Sequence, residues 1–187
     1  MIITNDEEYS KRLHLLRSHG MTTLTWDRHR GHASSYDVVD LGYNYRIDEI
    51  RAALGIVQLR KLELNNNHRR RLTQVYRDAL LEVVPQVTVP FAEHAGISAA
   101  HLMPMLLPSG SNKLGFMENM KAQGIQTSFH YPPIHTFTAY ERRGDGVSLP
   151  NTEAVAEREV TLPLYPTLRE QDLVKVVQAV ASAVCRS

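Results

Sequence analysis

A chain of 187 residues is long enough to bury a substantial core as one domain, or a smaller core with appended elements. Its apolar share of 43% and charged share of 22% are those of an ordinary globular protein, not of a fibrous or disordered one. With 21 basic and 20 acidic residues the net charge is +1, so no global field points to nucleic acid or to a membrane surface, and no apolar run approaches the about 20 residues that span a bilayer.

The chain opens with Met1-Ile2-Ile3-Thr4, a short apolar run that reads as a strand, and Asn5 with Glu8 stands in capping-box register for a helix. The acidic start Asn5-Asp6-Glu7-Glu8 is unlike a signal peptide, and the single cysteine, Cys185, excludes an internal disulfide and fits a reducing cytoplasm. Tyr9, Leu13 and Leu16 share one face of the helix, and Gly20 is its expected terminator. From Met21 to Leu41 charged, histidine and small residues dominate, with Val38-Val39 the one strand signal. Asp27-Arg28-His29-Arg30-Gly31-His32 lacks the cysteine or carboxylate cluster that would complete a metal-ligand set, so a solvated or substrate-facing loop is the better reading and no metal site is assigned.

Gly42-Tyr43-Asn44-Tyr45-Arg46 runs straight into a helix, with Asp48 placed to cap it. A helix N-terminus carries free N–H groups and the positive end of the dipole, which favours an anion beside Asn44 and Arg46. A plain turn before a capped core helix is the other reading. The helix is expected over about 48–64, apolar nearly all round between Ile50 and Leu59 as if buried between two layers. Asn65-Asn66-Asn67 interrupts the pattern before a second helix carrying Leu72, Val75, Tyr76, Ala79 and Leu80. His68-Arg69-Arg70-Arg71 lies on its polar side, too small a patch for nucleic acid.

Pro85 and Pro90 bracket an edge strand, Gln86 to Val89, and His101 to Pro108 reads as a strand that Pro104 places at an edge or a bulge. A helix with Leu114, Met117 and Met120 on one face ends at Gly124. The β-rich run Ile125 to Phe129 leads into His130-Tyr131-Pro132-Pro133-Ile134-His135, a loop held extended by paired prolines. Its side chains either line a binding edge or form a packed turn with hydrogen-bonded imidazoles. Pro150 opens a short helix to about Glu159, Thr161 to Pro166 forms an extended link, and Thr167 with Glu170 makes a capping box for a final helix carrying Leu173, Val176, Val177, Val180 and Val184. Helices alternating with a few proline-marked strands indicate an α/β fold.

Gly42-Tyr43-Asn44-Tyr45-Arg46, followed by Ala52-Ala53-Leu54-Gly55 and Gln58-Leu59, resembles the signature of the DegT/DnrJ/EryC1/StrS family of pyridoxal-phosphate sugar aminotransferases. Leu16-Arg17-Ser18-His19-Gly20-Met21, His130 to His135 and Leu162-Pro163-Leu164-Tyr165-Pro166 agree with it in order. The resemblance spans the whole chain but only the C-terminal half of the family's usual protein. It implies the small α/β domain of a fold-type I (aspartate aminotransferase-like) enzyme, with the last strand and helix of the large domain at the N-terminus. Residues 1–45 are then the remnant of the large domain with an interface loop, and 46–187 the interdomain helix and small domain.

The same resemblance implies an enzyme that aminates a nucleotide-linked keto-sugar with an amino-acid donor. It places the Schiff-base lysine and the carboxylate facing the pyridinium in the half that precedes Met1, so no catalytic residue is assigned here. The five lysines, Lys11, Lys61, Lys113, Lys121 and Lys175, stand in polar helical contexts and read as surface residues. The resemblance assigns Asn44 to the cofactor phosphate of a neighbouring subunit, and His130, Tyr131 and His135 to the sugar-nucleotide side, where Tyr43 is also placed as a substrate contact; Arg46, at the same helix start, is placed to neutralise phosphate or nucleotide charge. Arg46 reads equally as a structural ion pair. Trp26 and Tyr36 either stack on a base or line a subunit contact. The expected partners are a second copy in a cytoplasmic homodimer or a complementing N-terminal half. The alternative is a non-catalytic truncated relative acting as a dimerisation or regulatory module. Either way, apolar surface at Ile2-Ile3 or along Ile50 to Leu59 is expected at the contact.

Overall fold

A computed structural model describes residues 2–22, 36–93, 95–141 and 147–185. Contacts divide the chain into two units, residues 1–60 and 61–187.

In the first unit, α1 (Glu7–Leu16) is capped one residue later than the sequence suggested. Asp6, not Asn5, accepts hydrogen bonds from the N–H groups of Glu8 and Tyr9 at 2.9 and 3.0 Å. The helix ends as Ser18 and Gly20 turn their N–H groups back to the Leu15 carbonyl at 3.0 and 2.9 Å. Gly20 is required there twice over: its φ is +69°, and a Cβ would stand 1.9 Å from the Asp40 carbonyl oxygen. Ile2 and Ile3 do not form the expected strand. They are 72% and 85% exposed and have no ladder partner among the described residues, and a strand without a neighbour has nothing to hold its N–H and C=O groups. The strand signal at Val38 is reduced to a single bridge to Met21.

The long helix α2 (Glu49–Val83) corrects the sequence reading in two ways. It runs unbroken through Asn65-Asn66-Asn67, because the Asn66 and Asn67 side chains accept from the guanidiniums of Arg69 and Arg70 three residues on and so do not compete for the backbone. Its early apolar residues are not buried between layers: Ile50, Leu54 and Leu59 are 83%, 60% and 58% exposed.

Every buried hydrophobic side chain among the described residues lies in the second unit. Strand β1 (Met103–Leu106) pairs antiparallel with β2 (Glu159–Leu162), Met103 opposite Leu162 and Leu106 opposite Glu159. Thr88 bridges to Leu106 on one side and Ser128 to Thr161 on the other, all that forms of the runs expected at 86–89 and 125–129. Thr161 spends its backbone groups on Ser128, and Leu106 spends its own on Thr88. Pro104, in phase with Leu106, therefore turns its missing N–H away from β2, and no β1–β2 bond is lost. Strand β2 itself was read as the end of a helix and an extended link; pairing on both sides makes it a buried strand, because a lone four-residue run gains its structure only from neighbours.

Helix α3 (Lys113–Ala122) buries Phe116 and Met120 and leaves Leu114 68% exposed, against the face read from sequence. Gly124 follows it at φ +77°. After a 3₁₀ turn (Ile134–Thr136) and the short α4 (Thr138–Glu141) comes α5 (Pro150–Arg158), with proline in its first turn. Helix α6 (Glu170–Val184) buries Leu173, Val176, Val177 and Val180 as the spacing predicts and packs on α3. The Thr167 capping box does not form. The helix starts at Glu170, too late for Thr167 to reach it, and the Glu170 carboxylate is held by Arg71 at 2.6 Å.

Candidate functional site

The Gly42 to Arg46 stretch is laid along the end of α1. Tyr43 N–H donates to Leu16 O at 2.6 Å, His19 N–H to Tyr43 O at 3.0 Å, and Tyr45 N–H to Arg17 O at 3.0 Å, so Ser18 and Asn44 stand opposite each other. Gly42 is needed for closeness, not for an unusual φ: a Cβ there would lie 2.1 Å from the Gly20 nitrogen. His19 takes φ +62° in this bend. Asn44 is thereby pinned through its neighbours while its amide is exposed, and no hydrogen bond of that amide occurs within the described residues. Tyr43 and Tyr45 stack at 5.1 Å, on either side of it in sequence. Arg46 donates from Nε to the buried Ser18 hydroxyl at 2.9 Å. The N-terminus of α2 is not an open anion site. Asp48 accepts from Arg51 N–H at 2.8 Å and pairs with the Arg51 guanidinium at 2.9 Å, so the carboxylate already fills the place an anion would take.

In the second unit His130 lies on β2. Its N–H donates to Glu159 Oε2 at 2.8 Å, its Nδ1 stands 2.8 Å from Thr161 Oγ1, and Thr161 Oγ1 donates to Glu159 Oε1 at 2.7 Å. Tyr131, 71% exposed, meets the His130 ring edge-on at 5.0 Å. His135 Nε2 pairs with Glu153 Oε1 at 3.0 Å, and the same oxygen accepts from Leu149 N–H at 3.0 Å. That N–H first and His135 second hold the Glu153 carboxyl below the ordinary carboxylate range. A depression of about 360 Å³ is lined by Phe129, Pro132, Pro133 and Glu153. The imidazoles of this loop are thus hydrogen-bonded, and its tyrosine is exposed.

Sequence reasoning missed Ser18, Glu153, Glu159 and Thr161. A charged residue at the head of the apolar run Glu159-Val160-Thr161-Leu162 was the one available signal, since a carboxylate in a buried strand needs partners. Trp26 and Asp27 to His32 lie outside the described residues; Tyr36, within them, is 51% exposed. Arg69, Arg70 and Arg71 are each engaged, with Ala99 O, with Ser98 O and Glu63, and with Glu170, so the basic run fastens loops and α6 to α2.

Residues 1–181 match the DegT/DnrJ/EryC1/StrS aminotransferase family. The chain belongs to this family. An uncharacterised protein of Methanocaldococcus jannaschii is 33% identical over 98% of the chain and 49% of its own length. Among solved structures, the Helicobacter pylori aminotransferase PseC, involved in pseudoaminic acid biosynthesis, superposes with a TM-score of 0.87 at 25% identity, over 98% of this chain and 48% of that one. A Brucella abortus member does so with a TM-score of 0.79 at 30% identity, over 96% and 44%. The chain thus spans about half the length of the relatives it matches, and its α/β fold is that of part of a fold-type I enzyme.

The family is dependent on pyridoxal phosphate. Of the groups such chemistry uses, the residues here fit a phosphate contact, through the exposed Asn44 amide beside Arg46. The five lysines are engaged elsewhere or exposed. Lys11 pairs with Glu7 and Glu8, Lys175 with Asp172, and Lys113 donates to Ala156 O at 2.7 Å while covering the Phe129 ring; Lys61 and Lys121 are exposed on their helices. Among the described residues no helix is long and apolar enough to cross a membrane, and no His, Cys, Asp and Glu group suited to a metal occurs.

Proposed function

We propose that these residues are the C-terminal portion of an aminotransferase that moves an amine from an amino acid such as glutamate to a nucleotide-linked keto-sugar, within a cytoplasmic homodimer or with a complementing N-terminal half. Residues 1–45 are read as large-domain remnant and interface loop, and 46–187 as the interdomain helix and small domain. The single observation that carries the reading is the presentation of Asn44: backbone bonds on both sides fix its place and leave the amide exposed. Pyridoxal phosphate, when bound, supplies the chemistry that carries the amino group between donor and acceptor. In this reading Asn44 donates to its phosphate in the neighbouring subunit, and Arg46, steadied by Ser18, balances its charge. Tyr43, Tyr131, His130 and His135 border the sugar-nucleotide. The 187 residues alone transfer no amine, because none of their lysines suits the cofactor.

The test mixes this chain with the N-terminal half of a family member and follows 2-oxoglutarate formed from glutamate and a nucleotide-linked keto-sugar. Activity is expected only in the mixture, and Asn44→Ala should weaken cofactor binding about 10-fold or more, the worth of one hydrogen bond to a charged group. A borohydride-stable cofactor adduct on the chain by itself, or cofactor affinity indifferent to Asn44→Ala, overturns it. The exposed run Ile50, Leu54, Ile56 and Leu59 favours a second reading, a non-catalytic relative serving as a dimerisation or regulatory module. It would leave the mixture inactive while the chain still self-associates.

A further inference from the structure

We propose that Glu159 and Thr161 are positioning residues that hold His130 as its Nδ1–H tautomer, and so present Nε2 as an acceptor for a sugar hydroxyl and not as a donor to phosphate. This rests on the sugar-nucleotide reading of the loop for its ligand, and on the structure for its geometry.

The argument is a count of protons. An ionised carboxylate only accepts. Glu159 is 8% exposed and each of its oxygens takes one hydrogen bond, Oε2 from His130 N–H and Oε1 from Thr161 Oγ1. The Thr161 hydroxyl has one proton, and it is committed to Glu159. The 2.8 Å contact between Thr161 Oγ1 and His130 Nδ1 therefore needs its proton from the ring. In a neutral imidazole a proton on Nδ1 leaves the lone pair on Nε2. Among the described residues Nε2 has no hydrogen-bond partner, and the buried polar atoms without one are Thr73 Oγ1 and His135 Nδ1; Nε2 consequently opens to solvent. A ring flip would exchange Nδ1 for a carbon and break the Thr161 bond. An acceptor nitrogen so held takes an O–H group and faces a phosphate oxygen as acceptor against acceptor.

Long-range ¹H–¹⁵N NMR of the ¹⁵N-histidine-labelled chain, recorded across a pH series to isolate the neutral-ring pattern, reads the tautomer directly, with His130 assigned through His130→Gln. The Nδ1–H form is expected. Glu159→Gln should invert it: the amide oxygen must serve His130 N–H, the amide NH₂ then faces Thr161, and the freed hydroxyl proton turns to Nδ1. Thr161→Ser keeps the hydroxyl and should keep the wild-type tautomer. Titration with inorganic phosphate should leave the His130 Nε2 resonance in place. An Nε2–H tautomer in the wild type, an unchanged tautomer in Glu159→Gln, or a phosphate-dependent shift at Nε2 overturns the proposal. The wild-type spectrum decides even if a variant fails to fold. No cofactor or amino donor is involved, so this result and the amine-transfer result fail independently.

Discussion

Tyr76 shows how one side chain ties the second unit together. Fully buried, it donates from its hydroxyl to the Pro163 carbonyl at 2.9 Å, linking α2 to the segment after β2. Tyr76→Phe leaves that carbonyl unpaired and should cost about 1–2 kcal/mol in urea unfolding. Burial first, and Tyr165 second, push the phenol well above its ordinary value. A group whose pKa is raised on folding stabilises fully below its unfolded value and loses that contribution above it. The wild type should therefore lose stability above about pH 10 more steeply than Tyr76→Phe, as urea midpoints across that range would show. Phe116 and Leu114 make a sharper contrast: Phe116→Ala should cost about 3–5 kcal/mol and Leu114→Ala less than about 0.5 kcal/mol, because the first is wholly buried and the second 68% exposed. Sequence spacing placed Leu114 on the inner face. Two apolar residues two apart on a ten-residue helix leave the face ambiguous, and only the packing of α6 resolves it.

At the scale of elements, α2 is the decisive case. If it is continuous, Asn67→Pro removes a helical hydrogen bond and should cost about 3 kcal/mol with a loss of far-ultraviolet circular dichroism; in a linker between two helices it would be nearly neutral. The asparagine triplet looked like punctuation because asparagine competes locally for backbone bonds. That competition is settled three residues later by Arg69 and Arg70, a relation that propensity does not encode. Caps were legible in part: Asp48 caps α2 as expected, Asp6 caps α1 in place of Asn5, and α6 begins after Arg169 with no side-chain cap. Glu153 joins the start of α5 to the loop. Its carboxyl is held low, so its contribution is present above the unfolded value of about 4.3 and is lost as pH falls through its folded value. Glu153→Gln should mimic the acid state at neutral pH, seen as faster exchange of the Leu149 amide.

For the whole molecule, the distribution of the core predicts behaviour. With every buried hydrophobic among the described residues beyond Lys61, hydrogen exchange should find a protected core in 72–183 and rapid exchange through α1 and the Asn44 stretch when the chain is alone. The apolar run from Ile47 to Leu59 should drive concentration-dependent association in analytical ultracentrifugation, and Ile50→Glu with Leu54→Glu should abolish it. A monodisperse monomer across the micromolar range would refute the need for a covering partner.

From the sequence came the family, through the resemblance carried by Gly42 to Arg46 and the stretches that agree with it in order, and the α/β alternation, through its apolar periods. Tertiary structure alone decided that β2 is a strand, that α2 does not break, and that Glu159 reaches His130 through Thr161. Those three depend on partners distant in sequence or on hydrogen-bond direction, and neither composition nor period carries such information.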